Sequence, residues 1–215
     1  MASKFTATST LGRRLVVAGL VALPMRAQAQ IASPQDAADI ARVETYLDAI
    51  RTLDSRFLQI APDGSAAEGR FILARPGRLR LEYDPPNPNL LVADGRAFVH
   101  IDKALRTIAY LPIDATPAGI LVRNQIRLSG DVTVVGVERS PATLRVSVVQ
   151  AKDPRAGRLT LVFSERPTAL AGWTIVDAQG LSTRLSFLDA KFGVPIEPAA
   201  FSFVDPNTQQ PNRPQ

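Results

Sequence analysis

The chain has no cysteine and a single histidine, His100. Without cysteine there is no disulfide framework, no thiolate metal site and no thiol nucleophile. One imidazole rules out zinc sites built from several histidines and leaves a His-dependent triad only one place to form. Aromatic residues make up 6% of the chain and are not interleaved with a basic stripe, so nothing supports base stacking. Glycine-rich phosphate cradles, P-loops and calcium loops are missing. The carboxylates lie scattered along turns and strand edges, and no spaced pair suggests acid–base work. The expectation is a protein without catalysis, cofactor or metal.

The formal net charge of +5 suggests a polyanion partner until its position is read. Lys4, Arg13, Arg14 and Arg26 all fall in the first 29 residues, which hold no acid. With those four removed from the 25 basic residues, 21 face 20 acidic ones. The remainder is nearly neutral, and no nucleic-acid partner is expected. The same segment reads as a targeting signal. A basic stretch ends in Arg13-Arg14, an apolar run follows from Leu15 to Leu23, and Pro24 precedes Ala27-Gln28-Ala29. The small residues at Ala27 and Ala29 fit a signal-peptidase site, so residues 1–29 are expected to be removed. The apolar run is about half the ~20 residues that span a bilayer. The arginine pair hints at twin-arginine export, but Leu15-Val16-Val17 matches that signal poorly, and Sec export is favoured. A soluble exported monomer is expected.

Ser33-Pro34-Gln35-Asp36 is a strong helix start: serine caps, proline suits the first helical position, and Asp36 can bond back to the cap. Ile40, Val43, Leu47 and Ile50 follow at helical spacing, predicting an amphipathic helix to about Leu53. The pattern then switches to period two. Arg78 to Tyr83 alternates charged and apolar, and Leu144/Val146/Val148, Leu159/Leu161/Phe163, Trp173/Ile175 and Leu181/Leu185/Phe187 repeat the theme. Pro62-Asp63-Gly64, Pro76-Gly77, Asp94-Gly95 and Gln179-Gly180 separate the runs as turns. Short strands joined by tight turns imply an antiparallel meander, since parallel neighbours need long crossovers. Asp84-Pro85-Pro86-Asn87-Pro88 must be a loop. Pro117 to Asn124 reads as a short helix entered at a proline.

Eight to eleven twisted strands would curl, and two helices cover one face only partly. The inside is then either filled by side chains or left as a ligand cavity, and alternation alone leaves both open.

From Arg51 to Pro206 the order of motifs resembles the outer-membrane lipoprotein carrier family, LolA. The matching residues are Phe57 and Gln59, then Gly69, Phe71 and Arg75-Pro76, then Leu81-Glu82-Tyr83 and the Pro85/Pro86 loop. Leu91-Val92-Ala93-Asp94-Gly95, Ile120 to Gln125, Asp177 with Gly180, and Phe201-Ser202-Phe203 complete the set. The resemblance implies a mainly β fold: an unclosed antiparallel β-barrel, with an N-terminal and a short central helix forming a lid over an apolar cavity. It implies one carrier domain over residues 30–206, followed by a disordered polar tail, 207–215. The implied activity is periplasmic shuttling of acylated lipoproteins from an inner-membrane ATP-driven release complex to an outer-membrane receptor or the outer membrane itself.

By the same resemblance, Arg75 latches the lid through backbone carbonyls around Ile120, Leu121 and Val122. Arginine suits this task because its planar fork offers several donors and keeps its charge. Phe57, Phe71, Leu79, Leu81, Tyr83, Ile108, Tyr110 and Trp173 are the expected cavity liners, although plain core packing would give the same alternation. Arg70, Arg78 and Arg80 are expected as solvated strand-end charges. One departure stands out. Family members continue past the closing strand, whereas here Phe203-Val204-Asp205-Pro206 is expected to run straight into the tail. Two other readings remain: a module of the same fold that binds or senses another lipid, and an envelope scaffold with a filled β-core.

Overall fold

The computed structural model describes residues 33–113 and 117–207. The expected export signal and the last eight residues of the expected tail lie outside them. Helix α1 (Pro34–Ala49) opens on a reciprocal capping box: the Ser33 hydroxyl accepts from the Asp36 amide at 3.1 Å, and Asp36 accepts from the Ser33 amide at 2.9 Å. The helix stops short of the expected Leu53. Ile50 is already extended, and Leu53 belongs to the first strand. Leu47, Ile50 and Leu53 nevertheless bury in one core, which is why apolar spacing runs on past the helix end.

Eleven antiparallel strands follow: β1 (Thr52–Ile60), β2 (Ala66–Ala74), β3 (Arg78–Tyr83), β4 (Asn89–Asp94), β5 (Phe98–Asp102) and β6 (Thr107–Leu111), then β7 (Val132–Ser140), β8 (Thr143–Gln150), β9 (Gly157–Ser164), β10 (Ala169–Asp177) and β11 (Ser182–Phe192). Their order is β6-β5-β4-β3-β2-β1-β11-β10-β9-β8-β7. Two meanders, β1–β6 and β7–β11, are thus joined where β1 pairs with β11, and β6 and β7 remain unpaired edges. The sheet is unclosed, and it is strongly curved. Phe71 on β2 and Trp173 on β10 are three strand spacings apart, about 14 Å on a flat sheet. Their ring centroids lie 5.5 Å apart.

Curvature needs small residues at chosen points. Gly69 on β2 sits where an added Cβ would meet the Glu82 carbonyl at 2.1 Å and the Phe57 ring at 2.6 Å. Gly172, beside a register shift between β9 and β10, has φ +153° and would press a Cβ to 2.1 Å from the Leu185 carbonyl. Both let backbone or ring approach the sheet where a side chain would hold it off.

The chain must travel from edge strand β6 to edge strand β7, and its path supplies the second cover of the sheet. The expected central helix is a 3-10 turn, Pro117–Val122. Beyond it, Ile126 and Leu128 turn inward on either side of Arg127. Ile120, Leu121 and Val122 are likewise buried against the face under α1.

The outer face corrects the sequence reading of the C-terminus. The closing strand is β11, and the chain continues beyond it across the convex side of β2–β5. A second 3-10 turn (Pro198–Phe201) inserts Phe201, and Phe203 follows it, into a cluster with Ile72, Ala74, Leu90, Val92, Val99 and Ile101. Arg80, expected to be solvated, donates to the Ser202 carbonyl at 2.8 Å, and Arg78 lies 5.5 Å over the Phe201 ring. Arg70 does stand at the surface, in a pair with Asp54 at 2.7 Å.

Candidate functional site

The concave face is built by alternation. Leu53 and Phe57 on β1, Phe71 and Leu73 on β2, and Leu79 and Leu81 on β3 all point inward and are buried. Trp173 and Leu161 reach the same core from the other meander. Tyr83 is half-buried against it and meets the Phe57 ring edge-on at 5.3 Å. Ile108 and Tyr110 do not belong here. β6 pairs Ile108 with Ile101 and Tyr110 with Val99, both members of the convex cluster. Ile108 packs on the outside, and Tyr110 is 57% exposed. Their alternation is correct but its phase is reversed, and only pairing with β5 sets the phase. Leu181, read as a strand residue, precedes β11 and is exposed.

Two segments close over this face. Helix α1 contributes Val43, Leu47 and Ile50, and the central segment contributes Ile120, Leu121, Val122, Ile126 and Leu128. They leave a void of about 10 Å³ among Leu47, Leu53, Phe71, Leu121 and Phe187. That is room for about one water. The inside is filled rather than hollow.

The two lid segments are tied to each other and to the sheet by polar bonds, and Arg75 is their centre. Its side chain is 0% exposed. Nε donates to the Arg123 carbonyl at 2.7 Å, and Nη2 donates to the Asn124 carbonyl at 3.0 Å. Nη1 serves the α1 end, donating to the Leu47 carbonyl at 2.6 Å and the Ile50 carbonyl at 2.8 Å. Nη2 also pairs with Asp48 at 3.0 Å. A helix end leaves carbonyls without intrahelical partners, and one guanidinium fills that need here while bridging to the second segment. The carbonyls it takes in the central segment lie just past the expected Ile120–Val122. Val122 offers its carbonyl instead to the Gly77 amide at 2.7 Å, beside the β2–β3 turn. Burial lowers the Arg75 pKa, with Asp48 opposing.

Sequence reasoning missed two carboxylates that bind the central segment to α1. Asp48 accepts from the Ile126 amide at 3.1 Å, and Glu44 accepts from the Leu128 amide at 2.6 Å. The Ile126 amide, then Arg75, hold the Asp48 carboxyl below its ordinary range. A signal was present: acids four residues apart near a helix C-terminus oppose the dipole and need an outside partner. At the other end of α1, Arg139 reaches both Asp36 and Asp39 at 2.6 Å, and Arg42 pairs with Asp39 at 2.8 Å and Glu165 at 3.1 Å. The two aspartates therefore do more than complement the helix dipole.

The sequence from residue 48 to residue 204 matches the family model described as outer membrane lipoprotein carrier protein LolA. The chain belongs to the LolA family. An outer-membrane lipoprotein carrier protein of Methylococcus capsulatus is 28% identical over 203 residues, covering 90% of this chain and 94% of that one. One from Pseudomonas aeruginosa is 27% identical over 187 residues, covering 83% and 89%. The solved structure of a LolA superfamily protein from Nitrosomonas europaea is similar at a TM-score of 0.38 and 12% identity, covering 75% of this chain and 96% of that one. The LolA match spans the last two residues of α1, the whole sheet and the convex C-terminal cover.

No group of three or more potential metal ligands occurs among the described residues. His100 bonds Asn89 at 2.7 Å, while Asp102, its neighbour on the same face, caps the amides of Ala104 and Leu105 at 2.9 and 2.8 Å. The pair is not assembled for proton transfer.

Proposed function

We propose that this protein is a periplasmic carrier that shields the acyl chains of lipoproteins under its lid and moves them from the inner to the outer membrane. The carrying observation is an apolar cluster on the concave face closed by segments whose polar ties gather at Arg75. The eight lid side chains together gain about 12–24 kcal/mol by burial. At about 0.8 kcal/mol per methylene, roughly 15 to 30 acyl methylenes replace that contact area. One or two long chains therefore suffice to exchange with the lid. Uptake and release become a balanced swap, not a plunge into a preformed hole, and the protein needs no reaction of its own.

Arg75 sets the swap. With its bonds made, α1 and the central segment close as one unit; with them broken, each segment can leave the sheet. An inner-membrane ATP-driven release complex supplies cargo in this scheme, and an outer-membrane receptor or the membrane itself accepts it. Depletion followed by membrane fractionation tests the reading: lipoproteins should accumulate at the inner membrane. Arg75→Leu should fold and take up cargo but fail to deliver it. Normal delivery by that variant would sink the latch.

The void of about 10 Å³ also fits a scaffold with a filled core. A fluorescent palmitate analogue separates the two readings, since a scaffold leaves it unbound.

A further inference from the structure

The lid-covered face is not apolar along its full height. At the end away from Arg75, the inward positions of four strands turn polar: Gln59 on β1, Tyr83 on β3, Asn89 on β4 and His100 on β5. They continue the inward alternation of Phe57, Leu81, Leu91 and Phe98. All four are half-buried. The Tyr83 hydroxyl donates to Gln59 Oε1 at 2.7 Å. His100 Nε2 lies 2.7 Å from Asn89 Oδ1, an acceptor, so Nε2 carries the hydrogen. Asn89 Nδ2 donates to Asn87 Oδ1 at 2.8 Å.

These bonds occupy the two amide oxygens and leave amide hydrogens over. Gln59 keeps its Nε2 donors and Asn89 keeps its second one. None of the four side chains carries a permanent charge. From Leu53 to Gln59, β1 covers about 20 Å, while one leaflet's acyl layer is about 15 Å deep. A chain lying along the face with its tip near Arg75 brings its head to this row.

We propose that Gln59, Tyr83, Asn89 and His100 form a subsite for the uncharged ester and amide groups where acyl chains join the cargo's head. The subsite rests on the carrier reading above. Ester carbonyls accept without donating, which matches spare amide donors. A phosphate would have to enter a half-buried row with no lysine or arginine, and burying an unpaired charge is costly. The row thus selects acylated peptide over anionic phospholipid carrying the same chains.

Competition against a fluorescent palmitate analogue tests this with three probes: a tripalmitoylated cysteinyl-seryl lipopeptide, palmitate and phosphatidylglycerol. The unaltered protein should bind the lipopeptide more tightly than phosphatidylglycerol; equal binding overturns the subsite. Gln59→Leu combined with Asn89→Leu should weaken the lipopeptide by about tenfold, the worth of two hydrogen bonds, and leave palmitate unchanged. Equal loss of both probes, or loss of neither, overturns it. Gln59→Lys guards against misfolding because its signature is a gain: phosphatidylglycerol should bind several-fold tighter, and no gain counts against the subsite. If the unaltered protein binds neither palmitate nor lipopeptide, the carrier reading falls and takes the subsite with it.

Discussion

The two faces of the sheet are both apolar and both covered, yet they are covered in different ways. On the convex side, Phe201 and Phe203 push into β2–β5 and are themselves the anchor. On the concave side, the covering segments lie across the sheet, and their backbones are fixed through Arg75, Asp48 and Glu44. Arginines of one hairpin serve both covers: Arg75 inside, Arg78 and Arg80 outside. An aromatic plug holds by burial and has no release point. A lid held at a few polar contacts can be freed by changing those contacts, provided something apolar takes its place.

The largest expected effect is on the permanent cover. Phe201→Ala should lower global stability by about 3–5 kcal/mol, read from denaturant unfolding, while palmitate binding persists. Loss of binding at unchanged stability would mean that the two covers are coupled. Arg75→Leu comes next. It takes the side-chain donor from the Ile50 and Arg123 carbonyls, while Leu47 keeps the Ile50 amide and Asn124 keeps Arg51. Lid opening should ease by about 3 kcal/mol, seen as faster hydrogen exchange at the Ile126 and Leu128 amides. Exchange in β2–β5 should stay unchanged.

Arg80→Leu, on the outside, removes a half-buried contact to Ser202 and Glu82. About 1 kcal/mol is expected, confined to exchange in residues 198–203. Acid should also loosen the lid. The Asp48 carboxyl is held low by the Ile126 amide first and Arg75 second. A carboxyl with a lowered folded-state pKa contributes stability above its unfolded value of about 4, lost as pH falls through the folded one. Lid exchange should therefore be flat from about pH 5 to 8 and rise below about pH 4. The smallest effect is that of salt. The half-exposed Arg139–Asp36/Asp39 pairs are worth under about 1 kcal/mol, so raising salt from about 0.1 to 1 M should loosen only the first turns of α1.

Much of this was legible in residue order. Ser33 to Asp36 spells the capping box, and Leu79/Leu81 against Arg78/Arg80 fixes which way β3 faces. Tyr110 was misplaced because an edge strand with apolar residues on both faces has no phase of its own. The Phe201–Phe203 plug was not legible as a cover, because its partners lie more than 90 residues upstream. Gln59, Tyr83, Asn89 and His100 are unremarkable singly and become a row only through strand register.

The sequence by itself determined the helix start, the turns and the alternation of the strands, because those depend on neighbours a few residues apart. Tertiary structure alone decided that the inside is filled, that Arg75 joins two lid segments, and that the convex face has its own cover. Each of those depends on groups far apart in the chain: Arg75 bonds carbonyls 28 and 48 residues away. No local pattern encodes such a distance, and only the curl of an open sheet brings the partners within reach.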